Sequence, residues 1–183
     1  MRSDAQRNRE RILTAARSRV AAVGAEVSME EIATAAGVAV GTLYRHFPAK
    51  HDLIAAVVED SVEQIAVLAE ASRAAVERGE AAGPVLADLF RAIAHRYVND
   101  RAFKSAAGRL EPTVDLAAAP AGTPAARANA AITAVLDQAQ RDQQVRADVT
   151  LADLVMLVTA IPGPEASEQQ RERYVEIVLA GLR

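Results

Sequence analysis

Between Ser28 and Lys50 the chain reads SMEEIATAAGVAVGTLYRHFPAK, and no other stretch restricts the fold so closely. Ser28 followed by Glu31 has the spacing of a capping box, in which each side chain satisfies a backbone N–H at a helix start. Ile32, Ala33 and Ala36 then supply one small apolar face at helical spacing. Gly37 falls where a helix ends in a left-handed residue, a conformation glycine reaches without a Cβ penalty. A second short helix is predicted from about Ala39 to His46, with Val40, Leu43 and Phe47 inward and Thr42, Tyr44, Arg45 and His46 on its other faces. Pro48 stands where a third helix can begin, with Lys50 in its first turn. A helix, a glycine turn and a second helix with a polar, aromatic and basic face make the pattern of a DNA-reading helix-turn-helix. On spacing alone, a purely structural hairpin fits equally well.

The residue identities are more specific than their spacing. Gly37-Val38, Gly41-Thr42-Leu43-Tyr44, Phe47-Pro48 and Lys50 closely resemble the signature of the TetR family of bacterial transcriptional regulators. The resemblance is close over roughly Arg9 to Val58 and architectural beyond it. It implies an all-α chain with a three-helix helix-turn-helix DNA-binding domain over residues 1–50. A helical-bundle domain for ligand binding and dimerisation would occupy residues 51–183. It also implies that Thr42, Tyr44, His46 and Lys50 approach the DNA backbone or bases; Ser28, Val40, Gly41 and Arg45 complete the expected DNA-binding set. By side-chain chemistry Arg45 and Thr42 are the candidates for base edges, and Lys50 adds charge beside a helix N-terminus, where phosphate is already favoured. Tyr44 either donates its hydroxyl to a phosphate or packs its ring in the small core. Ala39 and Val40 depart from the serine and lysine often found in the family, so thymine-methyl contacts can replace polar readout there. Val20 stands where relatives usually have phenylalanine, and Gly24 to Ser28 is one residue short, which leaves the angle of the first helix open.

Taken as a total, the net charge of −3 on the 183 residues opposes nucleic-acid binding. The charge is unevenly spread. Residues 1–50 hold 8 Lys+Arg against 5 Asp+Glu, a balance of +3, while the remainder holds 13 against 19, a balance of −6. A basic end on an acidic body suits a chain of which one end meets phosphate. The first helix is predicted from about Ala5 to Val23, after a polar Arg2–Gln6, with Ile12, Leu13, Ala16 and Val20 as its stripe. Arg17 and Arg19 read as a solvated face. Arg2, Arg7 and Arg9 either share that face or reach an adjacent minor groove.

The rest of the chain is helical in period throughout. A long amphipathic helix from Asp52 to about Arg78 would span roughly 40 Å. Gly79 to Pro84 breaks it, and Val85 to Val98 resumes with Leu86, Leu89, Phe90, Ile93 and Tyr97 on one side. Arg101 to Leu110 reads as a short helix, Glu111 to Pro124 as a loop with three prolines, and Ala125 to Arg141 as a helix. Thr150 caps Leu151 to Ile161, and Ser167 caps the closing helix. Leu154, Leu157, Val158 and Ile161, with Tyr174, Ile177, Val178 and Gly181, form stripes that one protomer need not bury completely. TetR relatives build an intersubunit four-helix bundle from their last two long helices, so the resemblance assigns these residues to a homodimer interface; completion of the protomer's own core is the other reading.

Little chemistry beyond binding is encoded. There is no cysteine, which excludes disulfides and thiolate metal sites, and His46 and His51 lack the i,i+4 spacing of a helical metal pair. No glycine-rich phosphate loop or nucleophile elbow is present, so neither an enzyme nor a cofactor is expected. No run of 18 apolar residues and no secretion-type leader occurs, so no membrane partner and a cytoplasmic location are expected. The function expected is a DNA-binding transcriptional regulator, a repressor released from a palindromic double-stranded operator by a small-molecule ligand. Phe90, His95, Tyr97, Phe103 and Met156 are the candidate pocket residues, each also readable as plain core. The C-terminal part loosely resembles an actinobacterial branch of the family. The competing reading is a helical protein-interaction module without DNA binding.

Overall fold

The computed structural model describes residues 2–23, 26–99, 119–163 and 165–183. Every regular element among them is an α-helix: α1 (Arg2–Val23), α2 (Met29–Ala36), α3 (Val40–His46), α4 (Lys50–Glu77), α5 (Ala82–Asn99), α6 (Pro124–Arg141), α7 (Leu151–Thr159) and α8 (Glu168–Gly181). The all-α expectation is met. The helix expected over 101–110 with Phe103, and the loop over 111–118, lie outside the described residues. Backbone packing divides the described chain into two compact units, residues 2–61 and residues 62–99 with 119–183.

In the first unit Ile12, Leu13, Ala16 and Val20 are buried, as their spacing on α1 predicts. They close on Met29, Ile32, Leu43 and Phe47. Leu53, Ala56 and Val57, from the first turns of α4, join the same core, so this unit continues past residue 50. α1 starts at Arg2 rather than Ala5. Asp4 in its first turn favours the positive end of the helix and pairs with Arg7 one turn on. Arg17 and Arg19 are not the solvated face that was expected. Arg17 pairs with Asp60 of α4, and Arg19 lies 3.7 Å from Glu31 of α2. Both are half-buried because α1 meets neighbours on its flanks as well as along its stripe.

The second unit joins Leu86, Leu89, Phe90 and Ala94 of α5 to Val135 and Leu136 of α6, Leu154 of α7 and Leu179 of α8. α5 begins at Ala82, ahead of the expected Val85, with Gly83 and Pro84 inside its first turn. Proline is tolerated there because first-turn N–H groups have no intrahelical partner to lose. The chain break sits earlier, at Gly79, whose φ is 99°. Thr123 Oγ1 accepts from the Ala126 N–H and caps α6, with Pro124 at its first position. α7 and α8 both open on capping boxes, Thr150 with Asp153 and Ser167 with Gln170. α7 ends at Thr159, short of Ile161, although the Ile161 side chain is buried.

One polar junction fastens α6 to the second-unit part of α4. Arg127 Nε and Nη2 each donate to a Glu70 oxygen at 2.9 Å, and Nη1 donates to both Glu63 oxygens at 2.9 and 3.0 Å. Glu63 and Glu70 are seven residues apart, two helical turns, so one fork-shaped guanidinium spans both.

Candidate nucleic-acid interface

α2 is set by local chemistry. Ser28 Oγ accepts from the Glu31 N–H at 3.1 Å, and the Ser28 N–H donates to Glu31 Oε2 at 2.8 Å. The Ser28 N–H, and secondly the Ser28 side chain, hold the Glu31 carboxyl below the usual carboxylate range, with lesser help from Arg19 and Lys50. Met29, Ile32, Ala33 and Ala36 are its buried side. Gly37 ends the helix at φ 63° and ψ 39°, its N–H returning to Ala33 and Thr34.

α3 follows Gly37 after Val38 and Ala39. Leu43 and Phe47, four apart, face the core. Val40, expected inward, is not: it is 37% exposed. The physical reason is register. Val40 and Tyr44 share one helical row, while Leu43 and Phe47 share the next, and a helix this short can bury one row only. Tyr44 is 42% exposed, so its ring does not complete the core. Gly41 and Arg45 are exposed beside them; Thr42 and His46 flank the face, half-buried. A Cβ at Gly41 would meet nothing within 4 Å, so the backbone here lies open to close approach. The result is a narrow surface of apolar, phenolic and guanidinium groups on a helix whose opposite side packs into the first unit's core.

Lys50 opens α4 and is half-buried, as is Ser28 at the start of α2. The Ala49 N–H donates to Asp52 Oδ2 at 3.0 Å, which fixes the first turn of α4 next to the end of α3. Arg7, Arg9 and Arg11 project from α1. Arg7 is taken up by Asp4. The Arg9 guanidinium lies over the Phe47 ring, 5.5 Å from its centroid, and Arg11 Nη2 donates to the Gly37 carbonyl at 3.1 Å. Nothing in the local sequence signalled the last two contacts; Arg11 and Gly37 are 26 residues apart.

Of the expected pocket residues, Phe90, His95, Tyr97 and Met156 lie in the second unit, and Phe103 lies outside the described residues. Phe90 is buried in its core, whereas Met156 is 59% exposed. Tyr97 is half-buried, and that burial raises its phenol above the usual range. His95 lines an open cleft of about 420 Å³ between α5 and α8, floored by Ala94, Val98 and Val175 and edged by Arg91 and Glu176. Of the expected interface residues, Leu154 and Ile161 are buried in the unit's core. Leu157, Val158, Tyr174 and Val178 are half-buried against it. Tyr174 donates its hydroxyl to the Leu157 carbonyl at 2.9 Å, tying α8 to α7. Ile177 is 57% exposed, and Gly181 is exposed on the next turn.

Comparison with known proteins agrees with this arrangement. Residues 12–57 match the profile of bacterial regulatory proteins of the tetR family, and residues 81–183 match the SbtR-like C-terminal domain of transcriptional regulators. An HTH-type transcriptional regulator of Staphylococcus aureus (strain USA300) is 42% identical over 64 residues, which span 34% of this chain and 35% of that protein. The chain thus spans about a third of the length of the curated relatives it matches. The crystal structure of a TetR transcription regulatory protein from Mycobacterium vanbaalenii is 36% identical, covering 100% of this chain and 98% of that one at a TM-score of 0.70. That of a gamma-butyrolactone receptor, an ArpA-like protein, is 26% identical, covering 97% of each chain at a TM-score of 0.65. With the helix-turn-helix in the first unit, a helical second unit, and a solved relative of this identity aligned along its whole length, the chain belongs to the TetR family of bacterial transcriptional regulators.

Proposed function

We propose that this protein is a transcriptional repressor that binds a roughly palindromic DNA operator as a homodimer and leaves it when a small molecule binds the second unit. The observation that carries the DNA-binding part is the exposed row Val40, Gly41, Tyr44 and Arg45 on a helix whose opposite row, Leu43 and Phe47, is buried. In this reading Arg45 and Thr42 meet base edges and Val40 meets a thymine methyl. Tyr44, His46, Lys50 and Ser28 meet the backbone. One such head makes few base contacts, each discriminating by about 1–3 kcal/mol, too little for a genome. Two heads related by a two-fold axis double the contacts and match a palindrome. Exposed Ile177 and Met156, with Gly181, supply an apolar surface for that pairing.

The ligand proposed is small and apolar or amphipathic. The aromatic and aliphatic character of the second unit supports that class, and so does the likeness to a protein described as a gamma-butyrolactone receptor. His95 and Tyr97 are the groups able to orient it by hydrogen bonds. By linkage, a ligand that releases DNA must bind the free protein more tightly than the complex.

A mobility-shift titration on the region upstream of the protein's own gene tests the reading. A complex of two chains per duplex is expected, with affinity falling linearly in log salt. A chain that shows no preference for any duplex over random DNA is instead an interaction module. A thermal-shift screen that finds only polyanionic binders removes the apolar-ligand part.

A further inference from the structure

The recognition helix is weakly held by its own residues. α3 has 7 residues, an N-cap, Ala39, that offers no side-chain bond, and a single buried side chain, Leu43. A helix of that length is not stable on its own. α2, at 8 residues, has a complete capping box, a left-handed C-cap and four buried side chains. The orientation of α3 must therefore come from outside it.

α1 supplies an arginine at each of its ends. Ahead of α3, Arg11 Nη2 donates to the carbonyl of Gly37, in the turn between the two helices. α2 has no basic residue in its last turn, so Arg11 also brings the cation that the negative end of that helix favours. Behind α3, Arg9 stacks on the ring of Phe47, the C-cap residue. Gly37 is part of the device: a Cβ there would lie 2.6 Å from Arg11 Nη2, so a side chain would force the guanidinium to shift from its place on the carbonyl. Glycine at this position thus serves both the left-handed turn and the brace.

We propose that Arg9 and Arg11 are positioning residues that fix the angle of α3 from its two ends, so that α1 governs which bases are read without touching them. The inference rests on α3 being the DNA-reading helix. It separates these two arginines from phosphate-contacting ones, because each guanidinium is engaged inside the first unit. Altering them changes discrimination between sequences, whereas removing a phosphate contact weakens binding to all sequences alike.

The test starts with selection from a randomised duplex pool by the full chain, then measures the selected duplex and its single-base variants at several salt concentrations. Arg11→Met and Arg9→Met should lower the preference for the selected duplex over its variants by about three- to ten-fold, part of the cost of a mismatched pair, with the salt slope unchanged. Arg9→Lys keeps a cation over the ring and should restore most of the preference. Gly37→Asn tolerates the left-handed turn but displaces Arg11, and should reproduce Arg11→Met. In the DNA-free protein, Arg11→Met should move the amide resonances of Val40 to His46 more than those of Met29 to Ala36. A salt slope shallower by about one phosphate with preference intact would make these arginines backbone contacts and overturn the inference. Unmoved α3 amides would overturn it as well. A pool from which the unaltered protein enriches nothing would overturn the DNA-reading assignment itself, and the role built on it.

Discussion

Lys50 and Arg45 carry the same charge into different surroundings, and their loss should read differently. Lys50 opens α4 beside a helix N-terminus, where backbone N–H groups already favour an anion. Arg45 stands exposed in the last turn of α3. Lys50→Ala should weaken binding to every duplex alike and make the salt slope shallower by about 0.9, one phosphate's worth. Arg45→Ala should cost about 1–3 kcal/mol at one operator position per half-site and leave the others unchanged. Affinities over an operator set at several salt concentrations separate the two. A uniform loss for Arg45→Ala would move it to the phosphate class.

At the scale of the helix, caps and cross-helix ion pairs leave different signatures. Glu31 is held below the ordinary carboxylate range chiefly by its bonds to Ser28. A depressed carboxyl contributes stability that is complete above its unfolded pKa and is lost as pH falls through the folded value. Glu31→Gln keeps an acceptor for the Ser28 N–H but not the charge. The variant should therefore melt below the wild type near neutral pH, and the difference should shrink as the pH falls below the ordinary carboxylate range, as thermal unfolding followed by circular dichroism would show. The α4–α6 junction calls for a different measurement. Glu70 is also held low, by its hydrogen bond to Arg127, but this cluster is half-exposed and open to screening. Arg127→Met should lower the melting temperature at about 20 mM salt and much less at about 500 mM, because it leaves two carboxylates without their common cation. A loss equal at both concentrations would make the side chain's packing, rather than its charge, the source of the effect.

For the whole molecule, the decisive question is what covers the exposed apolar surface of the second unit. Val178, on the stripe that first suggested an interface, packs partly against the unit's own core, so a charge there would harm the protomer as well. Ile177 is the cleaner probe because most of it is free of its own chain. Ile177→Glu should leave the helical spectrum and melting of the protomer nearly unchanged. In a dimer the same carboxylate would be buried without a partner, at a cost of several kcal/mol. Sedimentation velocity should then show a monomer, and operator affinity should fall although no residue of α3 has changed. A variant that stays dimeric would place the contact on another face.

The described helices, their order and most of their ends were legible in the chain itself. The Ser28–Glu31 box, the caps Thr150 and Ser167, and Gly37 in its left-handed turn all act within about four residues of their partners, although the returning bonds of Asp153 and Gln170 were seen only in the structure. The stripe of Ile12, Leu13, Ala16 and Val20 was readable for the same reason, since helical periodicity is a local property. Where a helix is too short for its period to choose a face, that reading failed, and Val40 was turned inward although Leu43 and Phe47 already fill the buried row. Tertiary structure alone decided the partners of the arginines. Arg9 meets Phe47, Arg11 meets Gly37, Arg17 meets Asp60, and Arg127 meets Glu63 and Glu70. A charged side chain off an apolar stripe looks the same in sequence whether it faces water or a neighbouring helix, and only the packing of the apolar faces determines which flank is covered.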